Sequence, residues 1–428
     1  MSDPSETVFT YASPRLRFGP GASDEIWHDL TQLGARRVLV VTDPGVLATG
    51  GPDRMADQLR AHGIGAVVHA TAHVEPTDAS MAVAVTRARA DGPFDAVVAI
   101  GGGSSIDTAK AVDLMLTNPG DLMDYVNAPI GAARSPQHPL LPLIAVPTTS
   151  GTGAESTTIC VLDVLALEVK TGISHERLRP TLAVVDPRLM LTQPRGVTAS
   201  AGMDILCHAL ESWTARPYSD YPRKTPEQRV PYCGANPIAD LWSERAMTLL
   251  ARAFRVVVRD GDDEGARGDM ALAATFAGLG FGNAGVHVPH ANAYPVAGRV
   301  RDFRPPDYPQ DEPMVPHGMA VALTAPEAFR WTFDANPERH LAAAGFLDPE
   351  RQARWEGDPT NVLPGILLDL MRDIGLPSGL GAVGYDETDV SALVDGALKQ
   401  QRLLATCPKT VTEEDLAGIF RRSLRLWD

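Results

Sequence analysis

Asp204 and His208, in the stretch AGMDILCHALE, stand four residues apart. On a helix they share one face, one turn above the other, and can chelate a single ion. Downstream, GVHVPHANAYP carries His287 and His290, and VPHGMAVAL carries His317, followed by a glycine at the start of a helical pattern. Asp204, His208, His290 and His317 together offer one carboxylate oxygen and three imidazole nitrogens. Such a set suits a divalent first-row ion, Fe²⁺ or Zn²⁺, with positions left open for substrate or water, and donor softness does not separate the two metals. The plainer alternative is an ordinary Asp–His hydrogen bond along a helix, with the remaining histidines packed or solvated. For His287 three places stay open: beside the ligands, near the substrate, or in the core. His28, His62, His69 and His138 fall outside any grouping.

A second constellation is built from backbone. The run FDAVVAI leads straight into GGGSSIDTAK, which sets three glycines at the carboxyl end of a strand and the amino end of a helix. Free N–H groups there point outward, the helix dipole favours negative charge, and glycine lets an anion approach closely, so the place suits a phosphate. A tight strand-to-helix turn without a ligand reads equally well from the glycines alone. The spacing is neither GxGxxG nor GxxxxGK[ST]. PTTSGTGAES (147–156) is another small, hydroxyl-rich loop after an apolar run, and two such loops suggest the crevice where ligands of open α/β sheets bind. Asp43 closes RRVLVVTD; an acid there can accept from an adenosine ribose and repel a 2′-phosphate, which favours NAD over NADP, or it can cap a helix.

The elements that must position these groups fall into two halves. From residue 36 to about 190 short β-branched runs alternate with amphipathic stretches: RRVLVVTD (36–43), GAVVHA (65–70), FDAVVAI (94–100), LPLIAVPT (141–148) and TLAVVD (181–186). This alternation predicts a parallel sheet covered on both faces. Beyond VVDP the apolar residues take helical spacing, so the second half reads as helical. The expected division is 1–195, an α/β dinucleotide-binding domain, and 196–428, a helical metal- and substrate-binding domain. Proline- and charge-rich stretches at 216–237 and 299–316 read as long loops, of the sort that often wall a site.

Composition narrows the class. At 428 residues, 44% hydrophobic and 21% charged, the chain is globular and large enough for two domains. A formal net charge of −15 argues against nucleic acid or an anionic membrane as partner. Cys160, Cys207, Cys233 and Cys407 form no CxxC pair, so neither a disulfide framework nor a thiolate zinc site is expected. No basic-then-apolar leader and no apolar run of membrane-spanning length is found, so the expected location is the cytoplasm.

In that order and at those separations, GGGSSIDTAK, PTTSGTGAE, DILCHALE and PHG resemble the iron-containing (group III) alcohol dehydrogenases, over nearly the whole chain. VKTGISHERLRPTLAVVDP, YCGANPIADLW, FAGLGFGNAGVH and NPERHLAAAG resemble the hydroxyacid-oxoacid transhydrogenase branch of that family. The resemblance implies the dehydroquinate synthase-like fold: an N-terminal α/β domain, an all-helical C-terminal domain, and metal and nicotinamide between them. It implies that Gly102, Gly103 and Ser104 contact the pyrophosphate, Asp43 the adenosine ribose, Thr148, Thr149 and Thr152 the phosphate and nicotinamide region, and Lys170 the nicotinamide ribose, with Asp107 in the same pocket. It sets Asp204, His208, His290 and His317 on the four metal-ligand positions. The family's HGxxHP pattern is broken, since His290 is followed by Ala291, Asn292, Ala293 and Tyr294; the proton-transfer candidates are therefore His287 and Tyr294. Ala291 and Asn292 also stand where the transhydrogenase branch usually has Gly and Met.

The implied activity is hydride transfer between NAD(H) and a small alcohol or aldehyde, expected to be an anionic hydroxy acid, semialdehyde or phosphonoaldehyde. A transhydrogenase with tightly bound NAD is the alternative, and a sugar-phosphate cyclase or glycerol-phosphate dehydrogenase a more distant one. Arg216, Arg223, Lys224, Arg229, Arg299 and Arg301 are cations available to clamp a carboxylate or phosphonate. The family commonly forms homodimers or larger assemblies.

Overall fold

The computed structural model describes residues 4–167, 169–229 and 231–428. The chain forms two compact units, Ser13–Thr192 and a second made of Gln193–Asp428 together with the described residues up to Ala12.

Among the described residues of the first unit eight strands form. They are β1 (Arg15–Phe18), β2 (Arg37–Thr42), β3 (Gly65–Ala70), β4 (Ala96–Gly101), β5 (Leu143–Pro147), β6 (Ile159–Val164), β7 (Val169–Ser174) and β8 (Leu182–Val185). Six make one sheet, in the order β1-β8-β5-β4-β2-β3, with every pair parallel. β6 and β7 form a separate antiparallel pair. Side chains alternate across the sheet. Leu39, Val41, Val97, Ala99, Leu143 and Ala145 enter one buried cluster, and Val38, Val40, Val98, Ile100, Ile144 and Val146 the other. Both faces are therefore covered, which is why the strands read as unbroken apolar runs. After β3 the chain returns to the opposite side of β2 to lay down β4, so the sheet reverses direction between β2 and β4. Asp43 follows the first of these strands and the glycines follow the second, which puts both at the switch point of the sheet.

The core of the second unit is a set of helices that includes Arg195–Thr214, Pro237–Arg259, Glu264–Ala284, Val288–Gly298, His317–Thr332 and Val362–Ile374. Gly202 lets the first two cross closely: a Cβ there would lie 2.2 Å from the Phe254 ring. Between them, the described residues of 216–236 hold two short 3₁₀ turns, Tyr218–Asp220 and Pro226–Gln228. Buried Glu6 clamps this loop, accepting from the Arg229 guanidinium at 3.2–3.3 Å and from Lys224 N at 2.9 Å. No single described helix is long and apolar enough to cross a membrane. The apolar pair Glu264–Ala284 and Val288–Gly298 bends by 104° at its break, where Gly285 takes φ +101°, and most of its residues are buried in the unit.

Candidate metal centre and cofactor loops

Three helices of the second unit bring the acid and the imidazoles together. Helix Arg195–Thr214 carries Asp204 and His208 one turn apart on its buried face. The bend at Gly285 starts the helix Val288–Gly298, with His287 at its cap and His290 in its first turn. Helix His317–Thr332 begins at His317 and is pinned to the first helix: Met319 N donates to Ser200 Oγ at 3.0 Å. Gly318 makes that approach possible, because a Cβ there would sit 2.1 Å from Ser200 O and 2.8 Å from Asp204 Cβ. The glycine in PHG is thus a requirement of helix contact beside the site.

The resulting geometry centres on one oxygen. Asp204 Oδ1 lies 3.4 Å from His290 Nε2, 3.8 Å from His208 Nε2 and 3.9 Å from His317 Nε2. Neither Asp204 Oδ1 nor His290 Nε2 has a hydrogen-bond partner among the described residues, although both are buried. Donor atoms that hold one tetrahedral ion at about 2.0–2.2 Å are themselves separated by about 3.4 Å; among the described residues Asp204, His290 and His317 bring their donor atoms within 4.8 Å of one another and could hold a divalent cation, with His208 Nε2 3.8 Å from the shared Asp204 oxygen. Three members, Asp204, His208 and His290, are almost wholly buried, while the His317 side chain keeps 23% of its surface, so the site opens on the His317 side. Phe281 stacks on the His208 ring at 3.9 Å, and Tyr294 meets the His317 ring edge-on at 6.1 Å.

Burial and charge set the protonation states. Burial opposes ionisation of Asp204, yet the imidazoles of His208, His317 and His290 hold it far below the usual carboxylate range. Burial pushes His208 down to about 3, so its ring is neutral and free to donate a lone pair. For His290 burial acts in the same direction, but Glu211 and Asp204 outweigh it and raise the ring to about 9. A cation bound there takes the place of that proton.

Glu211 belongs to the candidate site and was missed by sequence reasoning. It is completely buried, and Oε1 accepts from His290 Nδ1 at 2.6 Å, which directs Nε2 toward Asp204. Oε2 accepts from His287 N at 2.6 Å and lies 3.4 Å from His290 N. One carboxylate therefore orients the His290 ring and satisfies the N-terminus of the helix that bears it. The available signal was spacing: Glu211 is seven residues beyond Asp204 and three beyond His208, on the same helical face.

The two proton-transfer candidates are placed differently. Thr214 Oγ1 donates to Leu210 O at 2.7 Å and so accepts from His287 Nε2 at 2.9 Å. His287 is wholly inaccessible, and burial lowers its ring to about 4. Its ring is engaged with Thr214 and with Phe329, and its backbone with Glu211. Tyr294 lies beside His317 in a small apolar cluster with Phe281, Val286, Ala291 and Leu403.

In the first unit the two loops interlock. Helix Gly103–Thr117 begins at Gly102 with no side-chain cap, so no side chain takes its leading N–H groups at the cap. A Cβ on Gly103 would lie 2.7 Å from the Thr152 side chain, and one on Gly102 3.3 Å from Thr149 Oγ1. Thr148 N donates to Gly101 O at 2.9 Å. The glycines thus admit the threonine loop as well as any phosphate. Asp43 acts as a helix cap, accepting from Val46 N at 2.9 Å through Oδ1, and its Oδ2 accepts from Ser105 Oγ at 3.0 Å. Ser104 Oγ accepts from Glu75 N at 3.3 Å.

Asp107 and Lys170 are engaged in buried ties of this unit. Asp107 Oδ2 accepts from Val161 N on β6 at 2.9 Å, and its Oδ1 is 3.5 Å from Lys110 Nζ. Lys110, fully buried, donates to Ala154 O, Thr157 Oγ1 and Ile159 O at 2.7–3.1 Å, bracing the end of the threonine loop. Lys170 Nζ pairs with Glu75 Oε2 at 2.6 Å and Asp163 Oδ2 at 2.9 Å. Burial opposes its charge, but the two carboxylates raise its pKa above the usual lysine range.

Residues 13–187 match the family described as iron-containing alcohol dehydrogenase, and residues 227–424 match its C-terminal domain family. The chain is 42% identical over 427 residues to the mitochondrial hydroxyacid-oxoacid transhydrogenase of Bos taurus, covering 99% of this chain and 91% of that one. Among solved structures it resembles a 1,3-propanediol oxidoreductase, with a TM-score of 0.84, 30% identity and coverage of 97% and 100% of the two chains. It also resembles the sulfoacetaldehyde reductase of Bifidobacterium kashiwanohense in complex with NAD⁺, with a TM-score of 0.78, 25% identity and coverage of 97% and 98%. The chain belongs to the iron-containing alcohol dehydrogenase family and, within it, resembles the hydroxyacid-oxoacid transhydrogenase branch. It is an oxidoreductase of alcohol dehydrogenase type acting on a small molecule, and the family implies a metal and NAD(H). The expectation of a cytoplasmic location is overturned by the same comparison, because these full-length relatives are named as mitochondrial proteins. The expectation rested on finding neither a secretory-type leader nor an apolar run of membrane-spanning length, and neither observation separates a mitochondrial interior from the cytoplasm.

Proposed function

We propose that this protein transfers hydride between NAD(H) and a short hydroxy acid or its oxo counterpart, at an iron held by Asp204, His208, His290 and His317. The observation that carries the reading is the single oxygen, Asp204 Oδ1, faced by three imidazole nitrogens at 3.4–3.9 Å and left without a hydrogen bond. A divalent ion there supplies Lewis acidity and NAD(H) carries the hydride. The chain's own groups do the rest. Glu211 fixes the His290 ring, Phe281 covers His208 and keeps water from that side, and the partly open His317 side admits substrate. Tyr294, beside His317, is the candidate for moving the proton, while His287, enclosed and bonded to Thr214, positions the start of its helix.

For the cofactor, the uncapped helix at Gly103 with Gly102, Ser104, Thr148, Thr149 and Thr152 forms the pyrophosphate and nicotinamide cradle, and Asp43 selects NAD. Lys170 meets the nicotinamide ribose from within its ion-paired cluster, and Asp107 supports the pocket through β6. The full-length likeness to proteins named hydroxyacid-oxoacid transhydrogenase favours a cycle in which NAD stays bound and serves both half-reactions. The test is turnover of 4-hydroxybutyrate with 2-oxoglutarate by metal-loaded protein without added NAD. Turnover abolished by His208→Ala supports the cycle; turnover only with stoichiometric NADH consumption makes the protein a cofactor-releasing dehydrogenase; none with either refutes the substrate reading.

A further inference from the structure

A hydroxy acid needs a second anchor, a cation for its carboxylate, and the cations that sequence reasoning put forward are taken or exposed. Arg229 and Arg223 face Glu6, with Arg229 bound at 3.2 Å. Arg301 holds Asp389 at 2.7 Å. Arg216 donates to Asp220 O and lies over the Tyr221 ring, as does Lys224, while Arg299 is exposed.

Arg402 differs from all of these. It lies in the short helix Gln401–Leu404, and its guanidinium covers the Tyr232 ring with the carbon 4.3 Å from the centroid. Its Nη1 is buried and has no hydrogen-bond partner among the described residues. A guanidinium N–H left in that state is costly unless an acceptor arrives. Burial raises the Tyr232 hydroxyl while Arg402 opposes the shift, so the phenol stays protonated and is itself a donor beside the cation.

The surroundings connect this pair to the metal centre. Tyr232 packs on the small cluster of Phe281, Val286, Ala291, Tyr294 and Leu403. Phe281 covers His208, Ala291 follows His290, and Tyr294 edges His317. Gly285, at the bend, leaves room for Tyr232: a Cβ there would lie 2.7 Å from its ring. One apolar cluster thus adjoins the imidazoles of the candidate metal centre and, through Tyr232, a guanidinium that contacts the Tyr232 side chain and whose Nη1 is left without a partner among the described residues.

We propose that Arg402 receives the carboxylate of the substrate, with Tyr232 beside it, while the short carbon chain crosses the patch to the metal. This rests on the proposed function and adds its specificity determinant: preference for a hydroxy acid over the equivalent neutral alcohol. A planar guanidinium suits a carboxylate because two N–H groups can meet two oxygens.

Calorimetric binding of succinate to metal- and NAD-loaded protein tests the assignment, with Arg402→Gln and Arg402→Lys as variants and thermal melting as the control for folding. Arg402→Gln is expected to weaken succinate roughly ten- to hundred-fold, and Arg402→Lys less. Equal succinate affinity in wild type and Arg402→Gln, or failure of wild type to bind succinate, overturns the assignment. Should Arg402→Gln prove unstable, Arg402→Lys decides: it keeps charge and bulk, so undiminished succinate affinity there overturns the bidentate contact. The activity arm separates the two readings. Hydride transfer that keeps its preference for the acid in Arg402→Gln refutes this inference alone; Arg402-dependent carboxylate binding without any hydride transfer refutes the oxidoreductase chemistry alone.

Discussion

Replacing Glu211 by Gln puts the organisation of the metal centre to a quantitative test. The carboxylate accepts two bonds of 2.6 Å, from the His290 ring and from His287 N, in a place with no access to water. An amide has one acceptor, so whichever donor it keeps, its NH₂ group confronts the other. The loss is one charge-assisted bond, worth about 2 kcal/mol, and one buried donor left unsatisfied, worth about 1–3 kcal/mol, so the metal-free protein loses about 3–5 kcal/mol of folding stability. With His290 no longer held in one orientation, affinity for the ion falls about ten- to hundred-fold. Chelator competition with Zn²⁺, and anaerobically with Fe²⁺, measures the second effect, and denaturant unfolding of the metal-free protein the first. Glu211→Asp keeps the charge but is one methylene shorter, so it lies between the two. Unchanged metal affinity in Glu211→Gln would show that the ligand ring is oriented by packing alone and refute the reasoning.

Other outcomes follow from single contacts. Asp113 is buried, with Oδ1 accepting from Leu141 N and Oδ2 unpartnered, and burial raises its carboxyl to about 7. A raised carboxyl binds its proton more tightly folded than unfolded, so its stabilisation is complete below about pH 4 and is lost as pH climbs through 7, by at most about 4 kcal/mol. Melting temperature should fall more steeply between pH 5 and 7 in wild type than in Asp113→Asn; parallel curves would contradict the sign. Gly103→Ala forces Thr152 to move, so NADH binding followed by fluorescence should weaken at least ten-fold, about 1.4 kcal/mol, and unchanged binding would detach the two loops from the cofactor. Tyr294→Phe should lower turnover about a hundred-fold or more with metal content unaltered, the lower end of what a general acid supplies; full activity would return the proton-transfer question to other groups.

Much of the architecture was written in short-range pattern. β2, β4, β5 and β8 were legible because a strand buried on both faces must be apolar and β-branched throughout, and the half-buried edge strand β3 was legible through the run AVV at its centre. β1 escaped because it is an exposed edge strand whose RLRF alternates charge with apolar residues. The β6–β7 pair escaped because Gly172 interrupts β7, where a Cβ would meet Cys160 O at 2.8 Å. Asp204 and His208 were legible through helical spacing, whereas His290 and His317 could be grouped with them only by donor type, and the family resemblance was what set all four on ligand positions, since nothing local fixes a contact across more than eighty residues. Glu211 lay on the same face but reads as one more helix-forming acid until the bend at Gly285 presents two N–H groups and a ring to it. Arg402 sits in KQQRLLATCP, where no periodicity or motif distinguishes it; only the packing of Tyr232 does.

The interlock of Gly102 and Gly103 with Thr149 and Thr152 bears on how long a cofactor stays. Loops that already lean on one another, braced by Lys110 from beneath, have given up their freedom when the chain folds. On the proposed function, a dinucleotide arriving there would meet donors in place and would not have to freeze them, so little of its interaction energy would be spent on ordering. Affinity gained in this way lengthens residence more than it hastens arrival. For an enzyme that reduces its cofactor with one substrate and reoxidises it with the next, a dwell time longer than the interval between substrates is the kinetic condition for the cycle, and a rigid cradle is a direct way to meet it.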